Sequence, residues 1–388
     1  MQTKIPEQII NTPQGKKADE ILRSCVHCGF CSATCPTYQI SGNELDSPRG
    51  RIYLIKSVLE KNQVSKDTVQ YLDQCLTCRA CETTCPSGVE YSQLIDIGRE
   101  LAEPKRAWWQ KLYRAGVRQL LTTPVLFNSV ALFVQHSSIN TPAITPSAVT
   151  ARVLLLTGCV QPALAPNINH TTKNVLATLG VEVVETTQTQ CCGALEHHLS
   201  AQEKALQQIK SNIDAWSELI NSGIEAIIST ASGCGVMVKD YKTLFEKNDP
   251  YYQKALLVSE KTQDIAEYLL GKDLSVLRVK ANNISYHAPC TLQHGQKLPG
   301  IVEKVLAKVD IQISPITDSH LCCGSAGSYS IFQPTISKQL RKNKLQHLSA
   351  SNPDIIVTAN IGCLMHLSSG TDIPVKHWIE LLDISENA

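Results

Sequence analysis

Sixteen cysteines in a chain of 388 residues set the chemistry to be explained. Eight lie between Cys25 and Cys85 and eight between Cys159 and Cys363. Twice two cysteines are adjacent and followed by glycine, in "TQCCGALEHH" at Cys191–Cys192 and in "HLCCGSAG" at Cys322–Cys323. The polar start "MQTKIPEQIINTPQGKKADE" has no apolar core segment, so no secretory leader is expected and the setting is a reducing cytoplasm. Clustered cysteines there point to metal or redox chemistry rather than to disulfides.

The first eight form two runs. "CVHCGFCSATCP" supplies Cys25, Cys28, Cys31 and Cys35, and "CLTCRACETTCP" supplies Cys75, Cys78, Cys81 and Cys85, each closed by a proline. Three cysteines two residues apart can wrap three corners of a cubane, while a fourth, stiffened by proline, reaches across. Both runs resemble the C-x2-C-x2-C-x3-C-P motif of two-cluster bacterial ferredoxins, in which the fourth cysteine serves the other cluster. The resemblance implies one [4Fe–4S] cluster on Cys25, Cys28, Cys31 and Cys85 and a second on Cys75, Cys78, Cys81 and Cys35. Structural zinc usually shows paired C-x2-C rather than such triplets. Between the runs, Ile52, Ile55, Val58 and Leu59 recur at helical spacing in "DSPRGRIYLIKSVLE", so a helix should join the two loops. Arg49 and Arg51 at its start either offset cluster charge or simply open a solvated helix.

From Pro104 to Gly180 there is no acidic residue. Trp109, Leu112, Tyr113, Val117, Leu120 and Leu121 would share one helical face there, with Lys111, Arg114 and Arg118 opposite. This basic amphipathic pattern suits a membrane surface, or packing against the chain's own domains or a partner subunit. The apolar run 125–134 is too short to span a bilayer. Residues 137–150, rich in Pro, Ser and Thr, read as an extended linker.

The remaining cysteines repeat. Cys159 precedes Cys191 by 32 residues and Cys234 follows Cys192 by 42; Cys290 precedes Cys322 by 32 and Cys363 follows Cys323 by 40. "VLLLTGC" and "ISYHAPC" read as strands ending at a cysteine, and "IEAIISTASGC" and "DIIVTANIGC" as strands running into a glycine–cysteine turn. In the first copy Leu206, Ile209, Ile213, Trp216 and Ile220 mark a helix that Gly223 ends. Such alternation predicts duplicated α/β domains with largely parallel sheets, their thiols gathered at the carboxyl ends of strands. The expected architecture is α+β and α/β: a helical two-cluster domain at 1–103, a connecting segment at 104–150, and cysteine-rich repeats at 151–275 and 276–388.

Each repeat resembles the cysteine-rich "CCG" domain of heterodisulfide reductases. The whole chain is similar to the iron–sulfur subunits of glycolate oxidase, most closely in "CVHCGFCSATCPTY", "DSPRGRIYLIK", "CLTCRACETTCPSGVEY" and "TASGCGVM". Subunits of anaerobic glycerol-3-phosphate dehydrogenase and lactate-utilisation proteins share the architecture. The heterodisulfide reductase pattern ends in C-x-x-C; here Met237 and His366 occupy its last position, which argues against that branch's non-cubane cluster and its disulfide chemistry. Cys159, Cys191, Cys192, Cys234, Cys290, Cys322, Cys323 and Cys363 are thus open to a further cluster, to zinc, or to redox-active thiols.

The resemblance implies an FAD-containing 2-hydroxy-acid dehydrogenase as partner and the quinone pool as acceptor. No flavin or NAD is expected on this chain, because no G-x-G-x-x-G follows a strand. Equivalent service to glycerol-3-phosphate or lactate oxidation, and a ferredoxin domain fused to a zinc- or thiol-binding module, are the alternatives. Net charge of +1 argues against nucleic acid as a partner. The expected location is cytoplasmic, with peripheral contact at the inner face of the membrane. His197 and His198 could shuttle protons for a quinone, although solvated helix-start residues are the simpler reading; His287 and His294 flank Cys290.

Overall fold

The computed structural model describes residues 1–123, 127, 143–146, 148–186, 188–277 and 283–382. The apolar run 125–134, apart from Phe127, and most of the linker reading at 137–142 therefore lie outside the described residues.

The N-terminal part is helical. Helices α1 (Pro13–Ser24) and α2 (Pro48–Lys61) each begin with proline behind a hydroxyl cap: Thr12 accepts from the Gly15 amide and Ser47 from the Gly50 amide. With α3 (Tyr91–Ala102) they enclose a small core of Leu22, Ile55, Leu59, Leu72, Leu94 and Ile95, which packs directly against Cys25, Cys75 and Cys81. The helix expected between the two cysteine runs is α2, and Ile52, Ile55, Val58 and Leu59 are among its buried residues.

Helix α4 (Trp108–Thr122) keeps the expected division into an apolar and a basic face, and turns two of its arginines inward. Arg114 is buried, and Arg118 pairs at 2.8 Å with the buried Glu196, while Trp108, Trp109, Leu112 and Tyr113 are exposed. The acid-free segment finds its counter-charges elsewhere: Arg106 pairs with Asp73 and Glu103, and Arg114 approaches both acids within 4 Å. Arg114 also lies over the Phe332 ring. Paired guanidinium groups can be buried where lone ones cannot, so the basic stripe turns inward.

Two four-stranded parallel sheets follow. Strands β1 (Ala151–Leu156), β2 (Val181–Val184), β3 (Ala226–Ser229) and β4 (Thr262–Asp264) run in the order β2-β1-β3-β4. Strands β5 (Ile284–His287), β6 (Ile313–Ser314), β7 (Ile355–Thr358) and β8 (Val375–His377) repeat that order as β6-β5-β7-β8. Between the strands lie α5 (Pro166–Thr178), α6 (Ala194–His198), α7 (Gln202–Asn221), α8 (Ser232–Lys239), α9 (Pro334–Leu348) and α10 (Ile361–Ser368). Ile209, Ile213 and Trp216 of α7 are buried; Leu206 and Ile220 pack partly buried beside them. One apolar cluster runs from Val153 and Ile228 to Ile284, Tyr286, Val357 and Trp378, so the two sheets share a core.

Glycine in the doubled motif has a steric role. Gly193 and Gly324 both take left-handed φ, +83° and +91°. A Cβ on Gly324 would sit 2.7 Å from the Ser337 carbonyl oxygen, where α9 crosses the loop. Gly324→Ala should therefore cost about 2–4 kcal/mol, from strained φ plus overpacking, read as a lowered denaturant midpoint. An unchanged midpoint would mean that α9 yields freely there.

Candidate metal centres

In each cysteine loop of the helical part, two residues take left-handed backbone: His27 and Gly29 in the first, Thr77 and Arg79 in the second. These paired turns fold each loop back on itself, and the Thr77 amide donates to Cys75 Sγ at 3.4 Å. The first cavity encloses about 430 Å³, its open mouth included, and is lined by Cys25, Cys28, Cys31 and Cys85, with Cys81 at its wall. A second, of about 300 Å³, is lined by Cys35, Cys75, Cys78 and Cys81. Both quartets draw their fourth cysteine from the other run. All sixteen cysteines are free.

Burial and the neighbouring Cys25 push the Cys31 thiol up to about 11. Burial, then the neighbouring thiols, hold Cys78 and Cys81 well above the ordinary range. Four crowded sulfurs that cannot ionise together without a cation fit a group carrying positive iron.

Arg51 supplies a cation from the protein. Its side chain is 1% exposed, and it donates to the Tyr71 carbonyl at 2.7 Å, Thr37 Oγ1 at 3.1 Å and Asp46 Oδ1 at 3.0 Å. One Nη lies 4.0 Å from Cys35 Sγ. Burial opposes its charge, but Tyr91, the thiols of Cys75 and Cys35, and Asp46 outweigh that and raise its pKa. Arg49, by contrast, is half exposed and pairs with Glu44.

The second cysteine loop is seated on the repeats. Leu76 and Cys78 pack with Cys290, Cys322 and Tyr329. Tyr329 donates to the Gln74 carbonyl at 3.1 Å, Thr83 meets His294 Nδ1 at 3.0 Å, and Arg79 pairs with Asp240. His294 is thereby an interface residue.

Within the repeats every cysteine follows the carboxyl end of a strand: Cys159 after β1, Cys191 and Cys192 after β2, and Cys234 after β3. Cys290, Cys322, Cys323 and Cys363 stand likewise after β5, β6 and β7. Strand order switches direction between β1 and β3 and between β5 and β7, the place where open parallel sheets hold their ligands. Cys159 and Cys191 sulfurs are 3.7 Å apart, and those of Cys290 and Cys322 3.8 Å. Hydrogen bonding with Cys159 and then Cys192 holds Cys191 well below the usual thiol range.

Neither residue at the departed motif position joins these sets. Met237 is buried among apolar side chains, and His366 turns to Ser337 Oγ at 3.2 Å. His287, read from sequence only as a neighbour of Cys290, lies within 4.8 Å of the Cys323 and Cys363 sulfurs. The lone acid in "LIDIG" was the available signal for another group that sequence reasoning missed. Asp96 of α3 is buried against His197 and His198 of α6, at 3.4 and 3.1 Å. The two histidines are thus not solvated helix-start residues; they clasp the helical part to the first repeat.

That clasp is pH-dependent. Burial alone would raise Asp96, but His198 and His197 hold it well below 3.8; burial would lower His197, but Asp96 raises it above 6.5. The Asp96 contribution exists above its ordinary pKa and is lost as pH falls through the lower folded value. The His197 contribution exists below its ordinary pKa and is lost as pH rises through the raised one. Stability should therefore decline as pH rises above about 6.5, and Asp96→Asn should flatten that decline in thermal unfolding. An equal slope in the variant would locate the titration elsewhere.

Comparisons with known proteins agree with this layout. A 4Fe-4S dicluster domain family matches residues 21–89, and the CCG cysteine-rich domain family matches twice, at 153–239 and 284–368. A two-cluster module joined to paired cysteine-rich domains defines a class of iron–sulfur electron-transfer proteins. The chain is 47% identical to the glycolate oxidase iron-sulfur subunit of Escherichia coli, over 99% of its own length and 98% of that protein. It belongs to the family of glycolate oxidase iron–sulfur subunits. It is also 27% identical to a probable glycolate oxidase iron-sulfur subunit of Bacillus subtilis, over 94% of this chain and 93% of that one. A hypothetical protein from Helicobacter pylori shares the fold at a TM-score of 0.50 and 11% identity, covering 98% of this chain and 74% of its own.

Proposed function

We propose that this chain is the electron-transfer subunit of a glycolate-oxidising complex, receiving electrons from an FAD-containing partner and delivering them toward quinone. The observation that carries the reading is the pair of cysteine-lined cavities. When bound, [4Fe–4S] groups supply one-electron carriage. Cys25, Cys28, Cys31 and Cys85 would hold one, and Cys75, Cys78, Cys81 and Cys35 the other.

The chain's own residues give these sites different roles. Cys28 is exposed, flanked by exposed Val26 and Phe30, which suits approach by a redox partner. The second cavity is walled by Arg51 and Tyr91 and adjoins Cys290 and Cys322 of the second repeat. Hydrogen bonds and the Arg51 charge around Cys35 and Cys75 tune potential, and oxidation of the 2-hydroxy acid falls to the flavoprotein. The test is reconstitution: mixed with the flavoprotein and glycolate, the chain should couple oxidation to reduction of a quinone analogue. Coupling with lactate or glycerol 3-phosphate but not glycolate would favour the sister activities.

No helix among the described residues is long and apolar enough to cross a membrane. The exposed apolar face of α4 favours contact at the membrane surface: Trp108 and Leu112 are 76% and 66% exposed beside Lys105 and Lys111. Trp108→Ala with Trp109→Ala should weaken sedimentation with anionic vesicles by about tenfold or more, since each aromatic would bury apolar area worth 1.4 kcal/mol or more. Equal sedimentation would assign the face to a protein partner.

A further inference from the structure

We propose that His287 is a metal ligand: with Cys323 and Cys363 it forms a mixed nitrogen–sulfur site in the second repeat for one divalent ion of the zinc type. The three donor atoms lie within 4.8 Å of one another, and all three residues are buried.

His287 ends strand β5 and is 1% exposed, yet neither ring nitrogen has a hydrogen-bond partner among the described residues. An imidazole sealed from water in that state leaves two polar atoms unsatisfied, which native interiors avoid. A purely structural histidine looks different, as the same repeat shows. His377 ends β8 and is fully buried, but its Nε2 bonds the Thr230 carbonyl at 2.9 Å and its Nδ1 accepts from the Ile379 amide at 3.2 Å. The nearest unused donors to His287 are sulfurs, and a sulfur–imidazole set without a carboxylate selects a borderline-soft tetrahedral ion over calcium or magnesium.

Hydrogen-bond donors reach sulfurs on this side of the repeat. The Asn360 amide donates to Cys363 Sγ at 3.5 Å, and the Gly324 amide donates to Cys322 Sγ at 3.4 Å. Lys344, 3% exposed, is held by the Asp318 carbonyl at 2.7 Å on the same side of the repeat. The first repeat lacks the histidine and the lysine. The 131-residue offset that relates Cys159 to Cys290 and Cys192 to Cys323 places Leu156 opposite His287. The same offset places Ile213 of α7 opposite Lys344 of α9. A leucine cannot ligate, so the two repeats have diverged and the site belongs to the second alone.

The site is independent of the iron assigned to the eight N-terminal cysteines, which is counted separately in the same sample. The full chain, purified without air and exposed to Zn(II) followed by gel filtration, should retain about one zinc ion. Zinc-edge X-ray absorption should show imidazole scattering beside sulfur. His287→Leu, which installs the residue of the first repeat, should weaken zinc retention at least tenfold with iron unchanged. Absence of retained zinc, a first shell of sulfur only, iron in place of zinc at this site, or undiminished zinc retention in the variant would overturn the proposal. Should the variant fail to fold, the absorption spectrum of the unaltered chain decides alone.

Discussion

A Cys35→Ser variant is expected to lose about half of the iron bound by the intact chain, roughly four atoms of eight, and to reduce a quinone analogue at least a hundredfold more slowly. The loss should fall on the cavity lined by Cys75, Cys78 and Cys81, although Cys35 belongs to the other run. Double variants separate this crossed arrangement from an uncrossed one. Cys35→Ser with Cys78→Ser should cost no more iron than either change alone, because both strip one group. Cys35→Ser with Cys28→Ser should remove nearly all of it. The reverse pattern would show that each run closes its own cluster and that the cavity linings mislead.

Arg51→Met should have the next largest effect. The substitution leaves Asp46 buried without its partner, at a cost of about 3–5 kcal/mol in stability. It also removes a positive charge 4.0 Å from Cys35 Sγ. Loss of that charge should lower the reduction potential of the second group by on the order of 100 mV, as a unit charge several ångströms away would at intermediate dielectric. Arg51→Lys keeps the charge but not the fork that reaches Tyr71, Thr37 and Asp46 together. It should recover most of the potential and little of the stability. A potential unmoved in Arg51→Met would mean that solvent, not this cation, balances the cluster charge.

Much of this arrangement was legible in the residues. Cysteine spacing pointed to two metal-binding loops, because a short loop around a metal group tolerates few spacings; that each borrows its fourth cysteine from the other run was implied by the resemblance to two-cluster ferredoxins. Strand–cysteine junctions pointed to parallel sheets with thiols at their carboxyl ends, because a crossover helix returns each chain to the same edge. What failed to show was long-range pairing. Which face of α4 turns inward did not show, because the partners of its arginines, Asp73, Glu103 and Glu196, lie outside the helix. Asp96 looked like one more helix acid until α6 placed two histidines over it. Among the histidines, motif position drew attention to His366, whereas strand direction brings His287 to the thiols.

The eight N-terminal cysteines as two iron–sulfur sites are the central claim. Iron, acid-labile sulfide and zinc per chain, measured together on protein purified without air, test it most directly. The account predicts about eight irons and eight sulfides, with zinc no higher than about one. Four irons or fewer, with zinc making up the difference, would contradict it and return the helical part to a structural role.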